Sequence, residues 1–378
     1  MTAKKPVAFY APLKSPNHPL PSGDRTMARL LMKALDRAGF KPQLASELRS
    51  LDKNGDRQVQ ENLKRQSLVE ASRLIAHYSA MRQEDRPCLW FTYHVYYKAP
   101  DWIGPQVSTA LKIPYVIAEG SRAAKRAKGP WALGHEGAEK ALDSANAILV
   151  MTAKDRVALE RGRPSRQRLI DLPPFIDAEE WPSPSPKQTP ETSRLLTVAM
   201  MRDGDKLASY RILASALERI ADLPWTLDIV GDGEARASIE HLFAPFRDRI
   251  CFHGAIESRS DLAALYRGAD LFVWPAVNEA YGMVFLEAQL FGCAVIAGHF
   301  GGVASVVKPE ETGLLIPPGD GAAFADGIRN LLVHPERLQE FGRNAQRFVS
   351  GQRNLDNAGL RLREALSSLS EGAPDCGS

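Results

Sequence analysis

Two glutamates, Glu279 and Glu287, stand eight positions apart and follow a short apolar run, Leu271–Trp274. The run predicts a buried strand and the pattern after Gly282 predicts a helix, so Glu279 would lie in the connecting loop and Glu287 about two turns along the helix. A carboxylate can accept two hydrogen bonds from a vicinal diol such as ribose, and a helix N-terminus attracts phosphate. The pattern indicates a crevice for a phosphorylated sugar or nucleotide; two ordinary surface glutamates are the alternative.

Two cations, Arg202 and Lys206, follow another apolar run at residues 195–199. Loops at the carboxyl ends of parallel strands line the crevice in which doubly wound sheets bind their ligands. Two positive charges in such a loop could neutralise a departing diphosphate. The alternative is a charged loop that only faces solvent.

A third candidate is His94, which follows the apolar residues 88–92. The carboxyl end of a strand is where a crevice residue belongs in a parallel sheet. A single histidine is more often structural, so the residue pattern leaves both roles open.

Four segments follow one another in the last part of the chain. They are E-A-Y-G-M-V-F-L-E-A from Glu279, F-G-C-A-V-I-A from Phe291, G-G-V from Gly301 and G-L-L-I-P-P-G-D from Gly313. On these segments the chain resembles the retaining glycosyltransferases of family 4, departing at Ala294, where the family usually has proline. The resemblance implies an α/β structure of the GT-B fold, in which two Rossmann-like doubly wound domains face a central cleft.

The resemblance also implies roles for single residues. Glu287 would hold the nucleotide ribose, Glu279 would lie beside the donor sugar, and His94 would lie close to the sugar and the acceptor. The implied catalytic residues are Glu279, His94, Arg202 and Lys206. The implied donor-binding residues are Glu287, Gly282, Tyr281, Met283, Gly231, Asp232, Gly233 and Gly23.

The resemblance implies transfer of a hexose, with retention, from a UDP- or GDP-sugar to a lipid, lipid-linked or glycan acceptor. A donor phosphate oxygen would take the acceptor proton while Glu279 positions the sugar. No cofactor or metal is expected, and Asp203 and Asp205, which spell the D-x-D of a different glycosyltransferase fold, read as a turn. The alternatives are another GT-B enzyme, such as a nucleotide-sugar epimerase or a phosphorylase, and a catalytically silent nucleotide-binding scaffold.

Other chemistries lack their motifs. The first predicted strand is followed by the proline-bounded segment 12–19 instead of G-x-G-x-x-G, and the segment 231–233 lacks the third glycine of a dinucleotide site. The sequence contains no H-E-x-x-H, G-x-S-x-G or P-loop. An NAD-dependent enzyme, a zinc protease and an α/β-hydrolase are therefore disfavoured.

Strand-like and helical patterns alternate along the chain, which predicts parallel doubly wound sheets. We expect an acceptor-side domain at residues 1–172, a proline-rich linker at 173–193, a donor-binding domain at 194–351 and a crossover helix at about 352–378 that returns to the first domain. Strands are predicted at 6–10, 87–92, 114–118, 146–151, 168–172, 195–199, 225–230, 250–254, 271–274 and 293–297. Helices are predicted at 58–82 and 355–369 and from residues 23, 208, 234, 261, 283, 321 and 335.

The charge is unevenly distributed, since residues 1–190 carry 30 Lys and Arg against 20 Asp and Glu while the remainder carries 18 against 25. One basic set leads to Trp131 and a second follows the strand at 146–151. A basic surface with a nearby tryptophan suits anionic headgroups, so we expect peripheral binding to the inner membrane; a solvated face is the alternative, and nucleic acid is not expected. The two sets are Arg122, Lys125, Arg126 and Lys128, and Arg161, Arg163, Arg166 and Arg168.

The four cysteines are Cys88, Cys251, Cys293 and Cys376, none at a metal-type spacing from another. Three lie in or beside apolar runs, which predicts reduced, buried thiols and a cytoplasmic protein. The histidines are not clustered in the sequence as metal ligands would be. No signal-peptide core and no apolar run of about 20 residues is present, so we do not expect an integral membrane protein.

Overall fold

The computed structural model describes residues 4–183 and 192–370. The chain divides into two units, one of Met1–Pro173 with Leu355–Ser378 and one of Pro174–Asn354. The expected linker at 173–193 and crossover helix at 352–378 reach beyond the described residues, at 184–191 and 371–378.

The first unit contains a six-stranded parallel sheet in the order β2-β1-β3-β4-β5-β6. Its strands are β1 (Lys5–Tyr10), β2 (Phe40–Ser46), β3 (Trp90–Val95), β4 (Tyr115–Gly120), β5 (Ala147–Val150) and β6 (Arg168–Asp171). The sequence pattern does not predict β2, because Lys41, Pro42 and Gln43 interrupt its apolar residues. A strand at the edge of a sheet tolerates proline and partial exposure, and β2 is such a strand.

Five helices of the first unit precede the linker. They are α1 (Gly23–Arg37), α2 (Arg57–Ala80), α3 (Gly104–Leu111), α4 (Ala132–Ser144) and α5 (Ala153–Arg161). The start of α1 is fixed by Ser22, whose hydroxyl accepts a hydrogen bond from the backbone N–H of Arg25 at 3.2 Å. This cap sets the N-terminal end of α1, which follows β1 after the loop at residues 11–22.

The second unit contains another six-stranded parallel sheet, in the order β12-β11-β10-β7-β8-β9. Its strands are β7 (Ser193–Val198), β8 (Trp225–Val230), β9 (Ile250–Gly254), β10 (Leu271–Trp274), β11 (Ala294–Gly298) and β12 (Gly313–Ile316). The sequence pattern does not predict β12, a four-residue edge strand that begins with a glycine. Its side chains are too few to form a pattern of their own.

Six helices follow the strands of the second unit. They are α6 (Asp205–Arg219), α7 (Arg236–Phe243), α8 (Arg259–Gly268), α9 (Met283–Leu290), α10 (Gly321–Val333) and α11 (Pro335–Gln352). The predicted start of α6 at Ala208 is wrong, because the helix begins at Asp205 after Gly204, which has a φ of 76°. A carboxylate in the first turn favours this earlier start. Lys206 therefore lies on the helix and not in the loop.

The last described helix, α12 (Leu355–Ser370), belongs to the first unit and packs on α1. Asp356 pairs with Arg37 at 3.1 Å, and the guanidinium of Arg363 donates to the backbone carbonyls of Arg37 and Ala38 at 3.0 and 3.2 Å. These bonds satisfy carbonyl groups at the end of α1. In the described part of the chain, no helix has both the length and the apolar character needed to cross a bilayer.

Candidate functional site

Lys206 and Glu279 form an ion pair, with 2.5 Å between Nζ and Oε2. Lys206 lies on the first turn of α6, after β7, and Glu279 lies in the loop after β10. Because β7 and β10 are parallel neighbours, their carboxyl ends place these two segments side by side. The Lys206 and Glu279 side chains are 23% and 19% exposed, so both remain within reach of a ligand.

Two further hydrogen bonds join the same segments. The side-chain amide of Asn278 donates to Asp205 at 2.9 Å, and the backbone N–H of Val277 donates to the hydroxyl of Ser209 at 2.9 Å. Ala276 and Asn278 have φ values of 54° and 52°, a backbone conformation that residues other than glycine rarely adopt. A strained loop persists only where its surroundings hold it, and such loops concentrate at functional sites.

Glycines fix the backbone around Glu279. A Cβ on Gly282, whose φ is 76°, would lie 2.7 Å from the ring of Phe285 and 3.3 Å from Cγ of Glu279. A Cβ on Gly301 would lie 1.9 Å from the backbone carbonyl oxygen of Glu279. The glycines at these positions allow the close approach that holds Glu279 beside the start of α9.

Tyr281 and Met283 flank Gly282 and have buried side chains. Both belong to the core below the loop, and their backbone lies at the N-terminus of α9. The first backbone N–H groups of a helix have no partner within the helix and carry a partial positive charge. The backbone N–H groups of this segment are therefore the groups that can bind an anionic ligand.

Glu287 contacts a different neighbour from Glu279. Its Oε2 accepts a hydrogen bond at 2.8 Å from the hydroxyl of Tyr266 on α8. Burial raises the pKa of Glu287, while the Tyr266 bond and the charge of Arg259 act to lower it. The bond to Tyr266 fixes the orientation of the carboxylate and occupies part of its capacity to accept.

The loop after β8 packs closely on the segment that follows β7. A Cβ on Gly231 would lie 1.9 Å from the carbonyl oxygen of Ala199, and one on Gly233 would lie 2.2 Å from that of Met201. The backbone N–H of Met201 donates to the carbonyl of Asp232 at 2.9 Å. Residues 231–233 thus form one surface with the residues just before Arg202.

The remaining charged residues of this surface are exposed. Arg202 makes no ion pair or side-chain hydrogen bond with the residues that the structure describes. Asp232 lies 3.3 Å from the guanidinium of Arg236 on α7. Asp203 is exposed and Asp205 accepts from Asn278, so the D-x-D segment forms the turn into α6. Arg202 is the cation of this surface available to a ligand without displacing a partner.

In the first unit, His94 lies within β3 and not after it as predicted, because the strand continues to Val95. Its Nδ1 lies 3.1 Å from Oδ1 of Asp24 and 3.7 Å from Oε1 of Glu119. Asp24 is on the first turn of α1, and Glu119 is near the carboxyl end of β4. His94 and Glu119 have φ values of 64° and 61°, so two adjacent strands end in strained residues.

The two carboxyl groups govern the charge of this cluster. Burial acts to lower the pKa of His94, but the charges of Glu119 and Asp24 and the bond to Asp24 outweigh it and raise the pKa to about 9. Burial would raise the pKa of Asp24, yet the bond to His94 and its charge hold it below the ordinary value. Burial raises the pKa of Glu119. At neutral pH the imidazole of His94 is therefore protonated.

Asp24 and Glu119 are not among the site residues predicted from the sequence. Asp24 directly follows Gly23, and Glu119 is the charged residue near the end of an otherwise apolar strand. A charged residue in that position was the available signal. At Gly23 itself, a Cβ would meet no other atom within 4 Å, so this glycine lies against open space and no packing contact requires it.

The two basic sets differ in what the structure leaves accessible. The prediction that Arg122 faces a membrane is wrong, because its side chain is 9% exposed and pairs with Glu139 and with Asp143. The guanidinium of Arg126 stacks 4.9 Å from the ring centre of Trp131. The exposed members are Lys125, Lys128, Arg161, Arg163, Arg166 and Arg168.

Comparison with known sequences finds a family model that matches part of the chain. Residues 187–348 match the sequence model of the family described as Glycosyl transferases group 1. A "D-inositol 3-phosphate glycosyltransferase 2" of Catenulispora acidiphila is 29% identical over 232 residues, 55% of this chain and 53% of the relative. A "D-inositol 3-phosphate glycosyltransferase" of Salinispora tropica is 40% identical over 93 residues, 25% of this chain and 19% of the relative. The chain thus spans about half or less of the length of these two curated relatives.

Comparison with solved structures extends over nearly the whole chain. A sucrose-phosphate synthase from Thermosynechococcus elongatus has a TM-score of 0.72 at 20% identity, covering 97% of this chain and 99% of that one. Anabaena HepE in complex with UDP has a TM-score of 0.70 at 15% identity, covering 96% and 100%. At these identities the likeness concerns the fold.

Proposed function

Because residues 187–348 belong to the group 1 glycosyl transferases and the fold is GT-B, we propose that the protein is a retaining glycosyltransferase. It moves a hexose from a UDP- or GDP-sugar to a lipid, lipid-linked or glycan acceptor. The observation that carries this proposal is the Lys206–Glu279 ion pair beside Gly282 and the N-terminus of α9. A cation, a carboxylate and a helix N-terminus at one sheet edge suit a sugar diphosphate.

Positive charge near the donor phosphates stabilises the departing diphosphate. Lys206 is already paired with Glu279, so it contributes to a network that also orients the carboxylate. Arg202 is exposed and supplies its full charge to an incoming ligand. Because negative charge grows on the leaving group as the glycosidic bond breaks, these cations bind the transition state more strongly than the ground state.

Glu287 binds the ribose of the donor. Tyr266 donates to one carboxylate oxygen, and a carboxylate has further lone pairs that can accept from the two ribose hydroxyls. The Tyr266 bond holds the group in one orientation before the donor arrives, which reduces the entropy lost on binding.

His94 contributes positive charge and does not act as a general base. An imidazole with a pKa of about 9 is protonated at neutral pH and cannot accept the proton of the acceptor hydroxyl. As the family resemblance implies, the proton of the acceptor passes to the departing phosphate oxygen in the proposed reaction. On the same face of the sugar, the bond from the anomeric carbon to the phosphate oxygen breaks and the bond to the acceptor oxygen forms, which gives retention.

A donor and acceptor screen tests the proposal. Purified protein is incubated with UDP-, GDP- and ADP-hexoses and with acceptors that include lipid-linked sugars, glycans and inositol phosphates. Inositol phosphates are included because the names of the curated relatives specify that acceptor. We expect one pair to yield nucleoside diphosphate and a product heavier by one hexose by mass spectrometry, with the donor's anomeric configuration by NMR.

The alternatives give different results in the same screen. An epimerase converts the donor sugar without an acceptor, and a phosphorylase requires inorganic phosphate or yields a sugar phosphate. A scaffold binds nucleoside diphosphate without turnover. Any of these outcomes, or an inverted product, contradicts the proposed reaction.

We further propose a cytoplasmic protein that binds the inner membrane peripherally through its exposed basic residues. Lys125 and Lys128, with Arg161, Arg163 and Arg166, carry this proposal, each worth about 1 kcal/mol near an anionic surface. In liposome sedimentation, the protein should pellet with anionic vesicles, and less so in high salt. Retention in the supernatant with anionic and neutral vesicles alike at low salt would favour a soluble acceptor.

A further inference from the structure

Three potential metal ligands meet on one face of the second sheet. Cys251 and His253 are alternate residues of β9, so their side chains point to the same face. Asp228 of β8 stands directly opposite Cys251 in the strand register. On the opposite face Phe252 packs against Phe243, with 6.3 Å between ring centres.

The ligand atoms of the three residues all lie within 4.8 Å of one another. Nε2 of His253 is 2.7 Å from Oδ1 of Asp228. Cys251 is exposed, so the predicted burial of this thiol is wrong, and its sulfur is accessible from solvent. A thiolate, an imidazole and a carboxylate together form a ligand set that zinc prefers.

We propose that Asp228, Cys251 and His253 bind a divalent metal ion of the zinc class, with water as the fourth ligand. Tetrahedral zinc with bonds of about 2.0–2.1 Å to nitrogen and oxygen separates those two atoms by roughly 3.4 Å. The His253–Asp228 pair must therefore open by less than about 1 Å, and the sulfur must approach by a similar distance. Rotation of partly exposed side chains supplies movements of this size.

One neighbouring charge opposes metal binding at this site. The guanidinium of Arg194 lies 3.6 Å from Oδ2 of Asp228. It engages the oxygen that does not contact His253, which leaves Oδ1 as the ligand atom. Ionised thiolate and carboxylate ligands offset the divalent charge, and the exposed position of Arg194 lets its side chain move away.

Strand β8 separates β9 from β7 and β10, the strands that precede Lys206 and Glu279, and no step of the proposed reaction depends on the metal site. Its position gives it a structural role, because Gly254, next to His253, accepts a hydrogen bond from the backbone N–H of Gly231 at 2.8 Å. Metal binding would clamp the edge strand β9 to β8 beneath the loop at 231–233. We therefore expect the metal to stabilise this edge against unfolding.

Cobalt(II) titration of the metal-free, reduced full chain tests the proposal. Tetrahedral cobalt with a thiolate ligand gives visible d–d bands and a near-ultraviolet sulfur-to-metal charge-transfer band. We expect both at one equivalent and their loss when zinc is added. Cys251→Ser should remove the charge-transfer band and weaken binding at least about tenfold, and His253→Gln and Asp228→Asn should also weaken it.

Two cysteine variants serve as controls. Cys88→Ser and Cys376→Ser remove the partly buried thiol and the tail thiol and should leave the spectrum unchanged. Circular dichroism of each variant verifies that it folds. The proposal is overturned if the wild-type protein shows no stoichiometric binding, if Cys251→Ser binds as the wild type does, or if the band disappears with Cys376→Ser.

Discussion

The candidate residues of the two units are assembled in different ways. In the second unit, Glu279, Gly282 and Glu287 come from one loop and the helix that follows it. In the first unit, the hydrogen bond from His94 to Asp24 joins residues 70 positions apart, and Glu119 comes from a third segment. Local spacing encodes the positions of Glu279, Gly282 and Glu287. The order of strands in each sheet produces the His94 cluster and also the Lys206–Glu279 pair, whose members lie 73 positions apart.

The two regions also differ in how their charges are balanced. Lys206 pairs with a single carboxylate, and Arg202 nearby in the chain remains exposed. His94 lies between two carboxyl groups and has little contact with solvent. The second unit therefore offers positive charge to an anionic ligand, while the first unit uses its carboxyl groups to keep one imidazole protonated.

Removing the cation of the second region should have the largest effect. Lys206→Met should lower kcat about 10³-fold, because a positive charge near the developing phosphate charge is lost and Glu279 loses its partner. Arg211→Met, on the same helix, is the matched control and should leave kcat within about twofold. Steady-state kinetics with the donor and acceptor that the proposed screen selects measures both. Equal activity of the two variants would mean that catalysis does not depend on this region.

Neutralising the cluster of the first unit should have the next largest effect. His94→Gln should lower kcat about 10²-fold through the loss of one charged donor. Asp24→Asn should lower the pKa of His94 from about 9 and shift the alkaline limb of the pH–rate profile to lower pH. Proton NMR of the imidazole provides the second readout. An unchanged imidazole pKa in Asp24→Asn would show that the carboxyl groups do not control this histidine.

The local arrangement around Glu287 should affect binding more than turnover. Glu287→Gln should weaken nucleoside diphosphate binding by roughly tenfold to a hundredfold, since hydrogen bonds to charged groups contribute about 1.5–3 kcal/mol. Tyr266→Phe removes only the hydrogen bond that orients the carboxylate, so it should weaken nucleoside diphosphate binding less than Glu287→Gln does. Isothermal titration calorimetry measures both, and wild-type affinity in Glu287→Gln would remove this residue from the donor site.

The smallest expected effect is the change in the free energy of unfolding with pH. Folding raises the pKa of His94 from about 6.5 to about 9. The protonated imidazole therefore adds fully to the free energy of unfolding below about pH 6.5, and this stabilisation disappears as the pH rises through 9. One proton limits the slope to about 1.4 kcal/mol per pH unit. Chemical denaturation should show the difference between the wild type and His94→Gln shrinking across this window. A constant difference would mean that His94 does not titrate there.

Strand β10 could be predicted from the sequence because it is a run of apolar residues that are all buried, and its bounds are the predicted 271–274. Strand β9 also has the predicted bounds, 250–254, although it is an edge strand with no fully buried residue. The edge strands β2 and β12 could not be predicted, because polar residues and a proline interrupt β2 and because β12 has only four residues, the first of them a glycine. The start of α6 was placed three residues late because its first turn is polar.

Side-chain partners were harder to predict than elements. Arg122 was expected at the surface, but Glu139 and Asp143 hold it against α4. Cys251 was expected to be buried, but it lies on the outer face of an edge strand. In both cases the exposure of the side chain depends on segments that are distant in sequence, so local hydrophobicity does not predict it.

The helix α12 has a consequence for synthesis on the ribosome. The second unit is complete once residue 354 has been translated, whereas the first unit, although it begins the chain, lacks α12 until translation reaches about residue 370. Domains that form during translation fold as their residues emerge. The part of α1 that packs on α12 therefore stays uncovered while residues 174–354 are made, although α1 also packs on β2. A ribosome that stalls within the second unit leaves a first unit with an open helix face, which chaperones recognise.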